Sequence, residues 1–223
     1  MKGIDCTTAI TETSGKALKA AGYEFTARYL VPAAYSWKRL TRTEAAAISG
    51  SGLKILSVYE TAANRVSSGA AHGAEDGAAA YAEAVAIGQP AGTAIYFACD
   101  YDAGISDYDA IEAYLKSAAE KIPGYNTGLY AGFYVVEEMA KRKACRHFWQ
   151  TYAWSRGYRS AYTNVYQYKN GVVLDGIAVD LNDSYGNEGL WDYQMQTQTD
   201  QNQPAENQGT ETQIGRASCR ERV

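Results

Sequence analysis

The feature that most constrains the fold is a regular alternation of two kinds of segment, punctuated by glycine and proline. Short apolar, β-branched or aromatic runs at residues 2–5, 23–30, 53–60, 93–103 and 126–132 alternate with runs of helical length at 14–21, 43–49, 73–87, 108–121 and 134–143. Gly22, Gly50-Ser51-Gly52, Gly88 with Pro90, and Pro123-Gly124 stop the helical runs, and Ser14 is the expected N-cap of the first. Further short strand runs fall at 147–153, 164–168 and 176–181, with little helix between them. Alternation of this kind argues for parallel strands joined by crossover helices. Eight strands whose later connections lack helix predict an α/β fold, a single compact and somewhat irregular (β/α)8 TIM-type barrel. An open doubly wound sheet is the competitor, and no glycine-rich phosphate loop follows any strand to support it.

The chain has 223 residues, enough for one domain with a full core, which we place at residues 1–191. Residues 192–213 are rich in Gln, Thr and Asn and read as a linker or disordered tail, implying a lost downstream module. The last ten residues, IGRASCRERV, resemble the translation of a common sequencing adapter and are set aside as non-native. Removing them takes Lys+Arg from 21 to 18 and Asp+Glu from 25 to 24, so the net charge moves from −4 to −6. With no Lys/Arg cluster interleaved with aromatics, a nucleic-acid partner is not expected. Neither a membrane span nor a signal peptide is read from the sequence, so action at a cell wall implies release by another route. Cys6, Cys99, Cys145 and Cys219 show no CxxC spacing, and the histidines are His72 and His147 alone. Buried free thiols are expected, and neither a disulfide framework, a zinc site nor a cofactor is called for. A monomer is expected.

In a parallel barrel, chemistry sits at the C-terminal ends of the strands. Acids follow the apolar runs there repeatedly: Asp5 after KGI, Glu60 after LSVY, Asp100 and Asp102 after IYFAC, and Asp180 after IAV. Strand side chains alternate faces, so Asp100 and Asp102 are expected to share the mouth. Crowded carboxylates raise the pKa of at least one of them, leaving a protonated acid beside an ionised base, the pair that glycoside cleavage requires. The blander readings are turn formation or helix capping by Asp102 and backbone hydrogen bonding by Asp180. Clustered carboxylates also suit magnesium or calcium. Arg28 is expected to pair with one of the acids, and 19 Tyr and 4 Trp against 4 Phe suit a surface that stacks on sugars.

GIDC, YFACDYDA, GLYAGFY, FWQTYA, VYQY and GIAVDLN, in that order, resemble the glycoside hydrolase-like domain once catalogued as domain of unknown function 1906. That family is similar to the glycoside hydrolase family 25 muramidases, and the likeness runs from about Lys2 to Trp191. The resemblance implies that Asp5 and Asp180 correspond to the muramidases' first-strand and late-strand aspartates. It implies too that Asp102 stands where their D-x-E motif carries the general acid, and Asp100 where it carries the partner. Asp for Glu is one methylene shorter, and about 1 Å of misplacement costs on the order of 100-fold in rate.

The expected function is therefore a glycosidase acting on peptidoglycan or a related cell-wall polysaccharide, in the manner of a phage lysin. Asp102 would be its general acid, Asp100 its nucleophile, base or stabiliser, and Asp5, Glu60 and Asp180 the supporting acids. Arg28, Tyr29, Tyr59, Tyr130, Trp149, Gln150 and Gln167 are the candidate substrate-binding residues. The alternative is a carbohydrate-binding barrel with little or no turnover that targets the lost module. A metal-dependent phosphoesterase-like barrel is the weaker third reading, for want of a histidine cluster.

Overall fold

Whether alternating strands and helices close into a barrel or stay open depends on whether the last strand reaches the first. In the computed structural model, which describes residues 1–193, it does. The strands are β1 (Lys2–Asp5), β2 (Phe25–Tyr29), β3 (Lys54–Tyr59), β4 (Ala94–Ala98), β5 (Asn126–Ala131), β6 (His147–Thr151), β7 (Val165–Leu174) and β8 (Ile177–Ser184). They form a closed barrel in sequence order. Helices α1 (Glu12–Ala20), α2 (Arg42–Gly50), α3 (Gly69–Ile87), α4 (Tyr108–Lys121) and α5 (Phe133–Lys141) follow β1 to β5 in turn. The first of them begins earlier than expected. Thr11, not Ser14, is its N-cap: the Thr11 hydroxyl accepts from Ser14 N at 3.1 Å, and Ser14 Oγ accepts from Thr11 N at 3.0 Å. Ser14 thus fills the N3 place of a capping box.

β1 to β7 are parallel, but β8 runs antiparallel to both β7 and β1. The cause is the turn between β7 and β8. Asp175 and Gly176 both have positive φ, +49° and +77°, as a two-residue hairpin turn demands, and two residues cannot make a parallel crossover. This corrects the expectation that Asp180 ends a strand pointing toward the mouth. Asp180 sits within β8 and reaches the mouth because the strand starts there, in register with Asp5.

Side chains alternate between two apolar clusters. Phe25, Ala27, Leu56, Val58, Tyr96, Tyr130, Trp149 and Val165 fill the barrel. Ile4, Ile55, Ile95, Phe97, Leu129 and Phe148 face the helices. Near the bottom, large residues take space that small ones leave: a Cβ on Gly3 would lie 2.2 Å from Phe25 Cζ, and one on Gly128 2.5 Å from Tyr96 Cδ1. The chain after β8 then passes beneath the barrel. Tyr96 Oη donates to Glu188 O at 2.8 Å, Ala94 N donates to Gly189 O at 3.0 Å, and Leu190 packs against the interior cluster. Trp191 exchanges backbone hydrogen bonds with Ile55, is fully buried, and donates from Nε1 to Ser57 Oγ at 2.9 Å. With its floor closed, the barrel keeps its opening at the C-terminal ends of β1 to β7. The linker expected at 192–213 and the adapter-like tail at 214–223, with Cys219, lie outside the described residues, Asp192 and Tyr193 excepted. Among the described residues Cys6, Cys99 and Cys145 are free thiols.

Candidate functional site

The open mouth leads into a cavity of about 120 Å³ walled by four carboxylates: Asp5, Glu60, Asp100 and Asp180. Tyr29, Tyr130 and Trp149 supply its aromatic faces, Gln167 and Asn170 its amides, and Val58 and Ala98 its apolar floor. A neighbouring cleft of about 220 Å³ shares Asp5, Tyr29 and Asp180.

Each acid is held differently. Asp5 is almost wholly buried, and its Oδ2 accepts from Asn182 Nδ2 at 2.7 Å and Gln167 Nε2 at 3.0 Å. Burial pushes its pKa up to about 7; those two hydrogen bonds oppose the rise, and the charges of Asp180 and Asp100 add to it. Asp100 rises to about 6, through burial first and then the charge of Glu60, against the pull of the Tyr130 hydroxyl and the Lys38 ammonium. Asp180, raised by burial, accepts from Gly171 N at 2.8 Å and Gln167 Nε2 at 3.3 Å. Glu60 Oε2 is paired with Lys38 Nζ at 3.0 Å, and that ammonium lies 4.4 Å from the centre of the Tyr29 ring.

Gln167 organises the floor of this arrangement. Its Oε1 accepts from Tyr130 Oη at 2.9 Å and Thr151 Oγ1 at 2.8 Å, which aims Nε2 at Asp5 and Asp180. Asn182 does the same from β8: its Oδ1 takes the Trp149 indole N–H at 2.8 Å, so its Nδ2 faces Asp5. These amides link two acids and two aromatic walls in one network.

Several sequence-predicted residues lie elsewhere. Asp102 is exposed and does not line the cavity. β4 ends at Ala98, and Ala103 N donates to Tyr101 O at 2.9 Å, a three-residue turn centred on Asp102. Period-two alternation stops where the strand stops, so Asp100 and Asp102 do not share a face. Asp102 lines a separate shallow depression with Tyr134 and Trp154. Arg28 is fully buried on the outer face of β2, where Nε donates to Glu44 Oε1 at 2.6 Å and Nη1 donates to the carbonyl of Cys6. It ties β2 to α2 and does not line the cavity. Tyr59 also faces outward, donating to Asp76 Oδ1 at 3.3 Å. Gln150, on β6, is buried with its side chain turned to the β6–β7 connection, where Nε2 donates to Tyr158 O at 2.8 Å and Oε1 accepts from Ser160 N at 2.8 Å.

Sequence reasoning missed Lys38, Asn170 and Asn182. Asn182 was legible, because it stands two residues after Asp180 on the same strand and so shares its face. Lys38 was not, since it comes from the irregular β2–α2 connection. Among the described residues no group of three His, Cys, Asp or Glu side chains is placed to hold a metal, and no helix is long and apolar enough to cross a membrane.

Comparison with known proteins bears on this geometry. FadG of Bacillus subtilis (strain 168), an uncharacterized protein, is 35% identical over 143 residues, 58% of this chain. The chain spans only 24% of FadG. The Tat-secreted protein Rv2525c of Mycobacterium tuberculosis, crystallised with L-tartrate, superposes with a TM-score of 0.77 at 25% identity, over 85% of this chain and 98% of that one. The catalytic domain of endolysin ply40, from bacteriophage P40 of Listeria monocytogenes, shares the fold with a TM-score of 0.58 at 16% identity, over 84% and 94%. The model of the Rv2525c-like, glycoside hydrolase-like domain matches residues 16–211, and the chain belongs to that family.

Proposed function

We propose that the mouth is a glycoside-cleaving site for a cell-wall polysaccharide of the peptidoglycan type, with Asp100 as proton donor and Glu60 as its ionised partner. One observation carries this reading: two carboxyls share one cavity in opposed environments. Asp100 is pushed up to about 6 by burial and by the Glu60 charge, while Glu60 is ion-paired to Lys38. A protonated acid beside an ionised carboxylate is what glycoside cleavage uses, one to protonate the leaving oxygen and the other to support the oxocarbenium-like transition state or activate water. Asp5 and Asp180, bridged by Gln167, shape the field around the pair. The acid role therefore passes from Asp102 to Asp100. Membership of a glycoside hydrolase-like family, and a barrel shared with an endolysin's catalytic domain, support the substrate class. Rv2525c is Tat-secreted, and action on a wall requires export or release of this chain as well.

The test is reducing-sugar release from purified bacterial cell walls. Asp100→Asn should lower release by about 100-fold or more, the usual range for losing a general acid, and Asp102→Asn should lower it far less. The reverse order would return the acid role to Asp102. The second reading is a carbohydrate-binding barrel without turnover, which the aromatic walls of Tyr29, Tyr130 and Trp149 would serve equally well. No release, with walls still pulling down the protein, selects that reading.

A further inference from the structure

The alternation of strand and helix lapses after β6, and what replaces the helix is chemically unlike the rest of the chain. Residues 152–164 carry no helix and lead back from the mouth end of β6 to the floor end of β7. Between Glu138 and Asp175 the chain has seven Lys and Arg and no acid, whereas its other residues carry 14 Lys and Arg against 25 Asp and Glu. Within this stretch SRGYRSAY, residues 155–162, interleaves arginine with tyrosine, which corrects the expectation that the chain has no such cluster.

These side chains make one exposed surface. The Arg156 guanidinium lies 5.4 Å from the centre of the Tyr134 ring, and that ring lies 6.5 Å from the ring of Tyr158. Phe133 backs both rings, at 5.2 and 5.4 Å. The next residue, Arg159, donates from Nη1 to Tyr185 Oη at 2.8 Å and lies 4.8 Å from the centre of that ring. Tyr134, Arg156, Tyr158, Arg159 and Tyr185 are all exposed. Lys141 and Arg142 are paired with acids of α4 and α5, but neither Arg156 nor Arg159 has a carboxylate partner among the described residues. Asp102 shares a depression with Tyr134, and Asp183 of β8 stands two residues before Tyr185, so acids border the surface at both ends. The display is rigid. Gln150 holds Tyr158 O, Ser160 N and Thr163 Oγ1, at 2.8, 2.8 and 3.1 Å, and the fully buried Ser155 accepts from Phe133 N at 3.0 Å. Trp154 and Arg156 have φ of +54° and +49°, conformations that non-glycine residues adopt at a cost and keep only where the surroundings hold them.

We propose that this surface docks a phosphodiester-linked glycopolymer, a linear chain in which sugars or polyols alternate with phosphates. Charge selects an anion, because two unpaired cations stand here on a chain of net charge −4. Both cations are arginines, whose planar fork meets a phosphate in two bonds at once. Rings and hydroxyls lie among them, and these suit the sugar or polyol that separates one phosphate from the next. Acids at both ends limit the contact to a few phosphates, which fits a flexible strand better than a duplex or a broad acidic protein face. A second copy would have to present its acidic side here, a head-to-tail contact that builds rings or filaments and not a closed dimer. Guanidinium groups and rings fixed in advance lose little freedom when the strand arrives. The docking is independent of the cavity chemistry.

The test is calorimetry on the full chain with three probes: poly(ribitol phosphate) bearing N-acetylglucosamine, polygalacturonate and oligo(dT). The phosphate polymer should bind at least about 10-fold more tightly than the other two. Arg156→Gln and Arg159→Gln should each weaken it by about 10-fold, the usual worth of a hydrogen bond to a charged group. Arg159→Lys, which keeps the charge and loses the fork, should fall between wild type and Arg159→Gln. Unfolding temperatures equal to that of the wild type separate lost docking from a lost fold. No binding of the phosphate polymer, or binding that both glutamine variants leave intact, overturns the proposal. Equal affinity for polygalacturonate or oligo(dT) overturns it as well, by making the surface a general polyanion site. Self-association of the wild-type chain in sedimentation, abolished by both glutamine variants, would make a second copy the occupant and overturns it too.

Discussion

Asp5 shows how one residue couples the site to the stability of the fold. Its burial is nearly complete, and the Asn182 and Gln167 amides recover only part of what solvation would give a carboxylate. Its pKa therefore stands at about 7 in the folded chain against an ordinary value of 3.8. Between those values the folded chain holds a proton that the unfolded chain has released. The resulting stability is fully present below the unfolded value and is lost as pH rises through about 7. Asp100, raised to about 6, acts in the same direction over a narrower window. Asp5→Asn keeps an acceptor for both amides and needs no proton. The variant should be more stable than the wild type at about pH 8, and its stability should fall less between about pH 5 and pH 8. Urea unfolding at both pH values measures this. A variant less stable than the wild type at the higher pH would mean that the ionised Asp5 is favourably held after all.

At the scale of elements, the strands and helices themselves were readable, because apolar period and glycine punctuation are local signals. Which face a side chain takes was readable too, and was only half used. Arg28 and Tyr29, Tyr59 and Glu60, and Trp149 and Gln150 are adjacent pairs on strands or at their ends, and alternation allows only one of each pair into the barrel. The structure admits Tyr29, Glu60 and Trp149. Asp102 failed for the opposite reason, since alternation was carried past the end of β4. The β7–β8 hairpin announces itself as Asp-Gly between apolar runs, yet its consequence, reversal of β8, depends on pairing distant in sequence. Helix packing carries a test of its own. A Cβ on Gly73 of α3 would lie 2.2 Å from the Tyr114 carbonyl oxygen of α4, and backbone cannot move aside as a side chain can. Gly73→Ala should destabilise by about 1–3 kcal/mol, whereas Gly50→Ala, with open space around its Cβ, should be neutral or gain a few tenths. Thermal unfolding of both variants decides; equal midpoints would mean that the α3–α4 crossing yields.

At the scale of the whole molecule, closure of the barrel and of its floor had no local signature. An open sheet and a barrel share the same alternation, and what separates them is the contact between β1 and β8. The floor is subtler, because residues 187–193 have no regular structure and adjoin a stretch of linker composition. Yet Trp191 is fully buried, and Tyr193 N donates to Ser49 Oγ at 3.2 Å while its hydroxyl donates to the carbonyl of Ile87. The family match continues to residue 211, beyond the described residues. A chain ending at Tyr193 should unfold at nearly the temperature of the full chain. One ending at Gly186 loses the Glu188, Gly189 and Trp191 contacts, of which the buried indole alone is worth about 3–5 kcal/mol, a large share of a domain's net stability. It should unfold far lower or fail to fold. Calorimetry on the two truncations against the full chain measures this, and a Tyr193 truncation that fell with the shorter one would move the end of the folded unit beyond residue 193.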